Sequence, residues 1–168
     1  LNVKECKVIE SISATGQKRI ERLITWCKQF QTPEDLLLNI DAITAQMRFG
    51  VPADDFEAAL NDLGMALGFV TQRPDKEWRE GPDNLWALRD NNYLLLECKN
   101  QVDQNRAINK QETGQMNNSC AWFRLAAPLI GKKGTEFFFG NFLSLCKHAA
   151  TSAGAPQRAG YYDREGSA

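Results

Sequence analysis

One stretch constrains this chain more than any other: Tyr93-Leu94-Leu95-Leu96-Glu97-Cys98-Lys99. A short apolar run bounded by turn residues reads as a buried strand. This one turns charged at its end. Side chains alternate along a strand, so Glu97 and Lys99 project from one face and Cys98 from the other. The preceding Arg89-Asp90-Asn91-Asn92 is turn chemistry. Residues 83–88 are therefore predicted to pair with 93–99 as a hairpin. Positions near 83 then lie opposite 97–99, which brings Asp83 beside Glu97 and Lys99.

The rest of the pattern surrounds that hairpin with helices. Ile20, Leu23, Ile24, Cys27 and Phe30 recur at helical spacing over 14–30. Thr32-Pro33-Glu34-Asp35 then offers a cap, a first-turn proline and two acids for the positive helix end, predicting a helix to about 48. Pro52 opens a third helix, with Phe56, Leu60, Leu63 and Leu67 as its buried stripe and Gly68 as its stop. Residues 69–73 read as a short strand and 74–80 as a charged loop. A helix is expected over 107–125, with Ile108, Met116, Trp122 and Phe123 inward, then a strand over 136–139 and a helix over 141–150. The expected order is α-β-β-β-α-β behind an N-terminal helical extension. This predicts an α/β fold with a central mixed four-stranded sheet flanked by helices. The expected division is a helical extension over 1–50, the main domain over 51–150 and a disordered Gly-, Ala- and Ser-rich tail over 151–168.

Composition narrows the classes. With 168 residues, 43% hydrophobic and 24% charged, the chain suits one globular domain and holds no run approaching a membrane span. Lys4, Glu5, Lys7 and Glu10 break up any signal-like start. The chain opens on Leu1 and reads as a piece or processed form of something longer. Its five cysteines include no C-x-x-C pair, which argues against zinc and for a reducing cytoplasm. His148 is the only histidine, and no Gly-x-Ser-x-Gly elbow accompanies it. Residues 31–65 hold seven acids and one base, whereas 99–133 hold six bases (Lys99, Arg106, Lys110, Arg124, Lys132, Lys133) and two acids. The basic stretch suits a phosphate backbone, or equally a solvated helix face.

The chemistry lies where the hairpin opens. Two clustered carboxylates repel unless a proton or cation joins them. Mg²⁺ typically takes one or two carboxylates with water and substrate phosphate. Lys99 can then orient the attacking water and offset phosphorane charge. The acid-x-Lys tripeptide carries little alone: about one chance match is expected in a chain this long, and Glu5-Cys6-Lys7 is one. Only the second copy has an apolar strand before it and an acid upstream.

Gly81-Pro82-Asp83-Asn84-Leu85-Trp86-Ala87-Leu88 and Leu96-Glu97-Cys98-Lys99 resemble the PD-(D/E)xK superfamily of restriction-endonuclease-like nucleases. Phe56-Glu57, Leu67-Gly68-Phe69, Gln115, Ser119 and Trp122-Phe123 extend the resemblance. It spans residues 56–123, about 40% of the chain. More narrowly, the stretch is similar to the nuclease-like domain at the C-terminal end of some bacterial DEAD/DEAH-box helicases. The resemblance implies a restriction-endonuclease-like fold and phosphodiester hydrolysis with Mg²⁺ or Mn²⁺. It implies Asp83 and Glu97 as metal ligands and Lys99 as the catalytic lysine. The resemblance fades after Phe123, and the helices before residue 50 carry no motif; they read as a link to a helicase or as a substrate-recognition part.

Lesser candidates follow. Glu57 sits roughly 80° from the centre of its helix's apolar stripe, as a further metal ligand or a solvated glutamate. Gln115 falls on the inward side of the 107–125 helix, as a catalytic amide or a core-edge one. Lys110 and Arg106 are candidate phosphate contacts. Trp78, in the charged loop, is the one aromatic singled out for nucleic-acid stacking, since Trp86 and Trp122 sit at core phases. Three functions compete: a Mg²⁺-dependent DNA endonuclease acting as part of a helicase or DNA-defence or repair system; a catalytically silent nucleic-acid-binding module of a helicase complex; and a protein-interaction domain.

Overall fold

The computed structural model describes residues 17–89, 92–101, 109–126 and 137–141. Three helices come first: α1 (Gln17–Cys27), α2 (Pro33–Gln46) and α3 (Ala53–Ala66). The N-terminus of α2 is fixed by a reciprocal capping box, in which Thr32 and Asp35 each bond the other's backbone N–H. Helix α3 ends at Gly68, whose φ of 77° suits glycine. Its Phe56 and Leu60 are buried, but Leu67, expected in the same stripe, is 39% exposed.

A three-stranded antiparallel meander follows: β1 (Val70–Gln72), β2 (Asn84–Ala87) and β3 (Tyr93–Glu97). Residues 74–80 are not simply a loop. Pro74 takes the first turn of a short helix, α4 (Pro74–Trp78), for which its fixed φ is suited. In the hairpin, Asn84 pairs with Leu96 and Ala87 with Tyr93. Beyond it lies α5 (Lys110–Ala126). This helix starts later than its periodicity suggests because Asn109 and Glu112 form a second reciprocal cap. Backbone 137–141 (β4) runs parallel along the free side of β3, pairing Phe137 with Tyr93.

Alternation puts two apolar clusters on opposite faces of the hairpin. Leu85, Ala87, Tyr93 and Leu95 pack with Cys120, Trp122 and Phe123 of α5. Trp86, Leu96 and Cys98 pack with Phe56 and Leu60 of α3. The hairpin is thus a middle layer between two helices, with apolar side chains buried on both faces. Burying a large side chain such as Leu60 or Phe123 contributes roughly 2–3 kcal/mol. Helix α3 approaches the sheet closely at Gly64, where a Cβ would lie 2.7 Å from the Trp86 ring. Among the described residues no helix is long and apolar enough to cross a membrane. Arg106, Ile108, His148, the helix expected at 141–150 and the tail from 151 lie outside the described residues.

Candidate active site

The site forms where the hairpin opens, and strand pairing assembles it. Extending the register one residue past Asn84 and Leu96 sets Asp83 beside Glu97. Asp83 shares the parity of Leu85 and Ala87, and Glu97 that of Tyr93 and Leu95, so both carboxylates emerge on the α5 face. The two acids and Lys99 line one cavity of about 640 Å³. Cys98 points to the opposite face, into the α3 cluster, as alternation requires.

Each group is held by a named contact. Asp83 Oδ2 accepts the backbone N–H of Cys98 at 2.6 Å. Ser119 Oγ, buried on α5, donates to Glu97 Oε1 at 2.5 Å. Lys99 Nζ lies 3.5 Å from Glu97 Oε2 and donates to the Cys98 carbonyl at 3.3 Å. Two buried asparagines clamp the surrounding backbone. Asn84 Nδ2 donates to the Glu57 carbonyl at 3.0 Å. Asn100 Nδ2 donates to the Val51 carbonyl, while the Asn100 carbonyl accepts from Gly50 N–H. The Gly81-Pro82 turn packs tightly beneath α5: a Cβ at Gly81 would lie 2.7 Å from the Trp122 ring.

The electrostatics follow from crowding. Burial pushes the Asp83 carboxyl up to about 7, and the Glu97 charge adds to it; the Cys98 N–H opposes both. Burial likewise drives the Cys98 thiol upward, with Asp83 adding to it, so that sulfur is a packing group and not a nucleophile. A buried acid beside a second acid is the arrangement a hard cation relieves. Both donors are carboxylate oxygens, which suit Mg²⁺ or Mn²⁺. Among the described residues no cluster of three or more His, Cys, Asp or Glu side chains forms. Two carboxylates still satisfy Mg²⁺, which completes its shell with water. The residues therefore fit such an ion, with Asp83 and Glu97 as its holders.

The remaining candidates divide. Gln115 lines the cavity, although the side chain stands on an exposed part of α5 and not on the buried side expected for it. Glu57 does not join the cavity lining. Its Oε2 is held by Arg73 at 2.8 Å, and Arg73 also bonds Asp54 at 2.7 Å. Burial raises the Glu57 carboxyl, although its bond to Arg73 works the other way. Trp78 is half-buried and packs on Trp122, ring centroids 5.9 Å apart, so the structure employs it in packing. Lys110 is exposed at the start of α5 and is not part of the cavity lining.

Ser119, Asn84 and Asn100, which hold the site, were not singled out by sequence reasoning. A signal existed for two of them. Ser119 falls one helical turn from both Gln115 and Trp122, and Asn84 is a strand-averse residue inside a strand. Comparisons with protein-family models, with curated proteins and with solved structures return no match.

Proposed function

We propose that this chain is a metal-dependent nuclease that hydrolyses phosphodiester bonds in DNA, with the restriction-endonuclease-like fold. One observation carries the reading: Asp83 and Glu97 face one cavity from adjacent antiparallel strands, with the Lys99 ammonium 3.5 Å from Glu97. The element order, the helix on each sheet face and the parallel edge strand support the four-stranded mixed sheet of that fold.

In this reading Asp83 and Glu97 hold the ion, each aimed by one hydrogen bond. Mg²⁺ or Mn²⁺ bound there supplies a polarised phosphoryl oxygen and a water of lowered pKa. Lys99 orients that water and offsets charge building on the phosphorus oxygens. Ser119 fixes the Glu97 rotamer, and Gln115 contacts the substrate across the cavity. Arg106 and Lys110 follow the flanking phosphates. The proposed setting is the cytoplasm, with a helicase domain in the same or a partner chain.

The test is nicking of supercoiled plasmid with Mg²⁺. The wild type is expected to cut, and Glu97→Gln and Lys99→Ala to lose about 10²–10³-fold, the scale of a removed electrostatic stabiliser. Cutting that persists in Glu97→Gln would defeat the proposal. Salt-sensitive duplex binding without cutting would favour the silent binding module instead.

A further inference from the structure

Among the described residues, Arg79 is the one non-glycine with positive φ, at 61° with ψ 28°. It terminates α4 in the left-handed conformation that glycine or asparagine adopts at least cost. Two residues on, at φ 89°, the chain does use glycine, Gly81. An arginine at such a position costs local stability, and strain of this kind gathers at functional sites.

Among the described residues, no hydrogen bond or ion pair of the Arg79 side chain offsets that cost. The Arg79 backbone N–H bonds the Asp75 carbonyl at 2.8 Å. Its guanidinium has no hydrogen-bond or ion-pair partner among the described residues. Arg19, Arg22 and Arg73 behave differently: each bonds a carbonyl or carboxylate of the fold. Arg79 instead lines the cavity that holds Asp83, Glu97 and Lys99. Lys99 is already beside Glu97, so Arg79 is the cavity's uncommitted cation among the described residues.

Resting on the nuclease reading, we propose that Arg79 is a substrate-binding residue that grips a backbone phosphate of the DNA strand next to the phosphate at Asp83 and Glu97. A guanidinium fork matches two phosphate oxygens at once, which a lysine cannot do. The cavity, at about 640 Å³, has room for more than the reacting phosphate. The α4–β2 turn thereby sets the register of the strand across the carboxylates.

The test uses the full chain, a fluorescein-labelled 30-base-pair duplex in EDTA, and Mg²⁺-dependent cleavage alongside. Arg79→Gly removes the charge and suits the backbone better, so its Tm should equal or exceed the wild type's. Its Kd should rise about five- to tenfold, and the slope of log Kd against log salt should fall by about one phosphate contact. Arg79→Lys should recover part of the affinity and most of the slope. An unchanged Kd and salt slope in Arg79→Gly overturns the proposal, and so does a lowered Tm, which would make the guanidinium a structural group. Duplex binding without Mg²⁺-dependent cutting sinks the nuclease reading alone, and the Arg79 slope still decides this one. A wild type that neither binds the duplex nor cuts it with Mg²⁺ sinks both.

Discussion

Two acidic groups meet near the start of β2, one on each side of the sheet, and they are neutralised differently. On the α3 side, Glu57 meets Arg73, and Asp54 meets both Arg73 and Lys76. Burial pulls the Arg73 guanidinium down, but its bonds to Asp54 and Glu57 outweigh this and leave it raised. That cluster sets two acids against two cations within the fold. On the α5 side, the Lys99 ammonium lies 3.5 Å from Glu97 alone, and Asp83, with no ion pair among the described residues, is driven up to about 7. The first group has the balance of a structural ion-pair network; the second is short of positive charge. The difference separates an acid that holds the fold from acids suited to an exchangeable ion.

The largest test of that contrast is the pH response at Asp83. Its folded-state value of about 7 lies above the ordinary 3.8. The folded state therefore binds the extra proton between those values, and stability falls as pH rises through that window. Above 7 the full penalty stands, at most about 4 kcal/mol on this shift. Asp83→Asn should recover much of it at pH 8 in EDTA, measured by urea unfolding, with little effect at pH 4. Mg²⁺ should raise the wild-type Tm at pH 8 and hardly at pH 5, and should not raise it in Asp83→Asn. An equal Mg²⁺ response at both pH values would dissolve the distinction between the two clusters.

A smaller effect belongs to Ser119. Ser119→Ala frees the Glu97 rotamer and should cost about tenfold in cleavage rate, roughly 1.4 kcal/mol, while Ser119→Thr retains most of the activity. An unaltered rate in Ser119→Ala would show that Glu97 is aimed by something else. Smallest is Glu57→Gln. Arg73 keeps Asp54 as a partner, so stability should change by no more than about 1 kcal/mol. The Mg²⁺-induced Tm rise should stay intact. Its disappearance would move Glu57 from the structural network into the ion site and break the comparison.

Much of this was legible because it rests on short-range rules. Strand alternation and a turn at 89–92 suffice to bring Asp83, Glu97 and Lys99 together, and the register does so. Thr32 and Gly68 mark helix ends through backbone chemistry readable from residue type. The failures are tertiary. Leu67 satisfies the helical period yet lies past the reach of the sheet. Glu57 has the right place on its helix, but its partner Arg73 is set by how β1 docks, which periodicity does not encode. Helix α4 is a single turn, too short for any periodic signal, and so the left-handed cap that ends it at Arg79 went unread.

The pairing of β2 with β3 has one more consequence. Neighbouring strands in a sheet lie about 4.8 Å apart whatever side chains they carry. Because Asp83 and Glu97 are rooted on two such strands, their separation is gauged by the ladder itself. Drift in the outer helices leaves that gauge untouched. Under the nuclease reading proposed above, a new substrate would have to be met by reshaping the rim, at the α4–β2 turn and along α5, around a fixed measure.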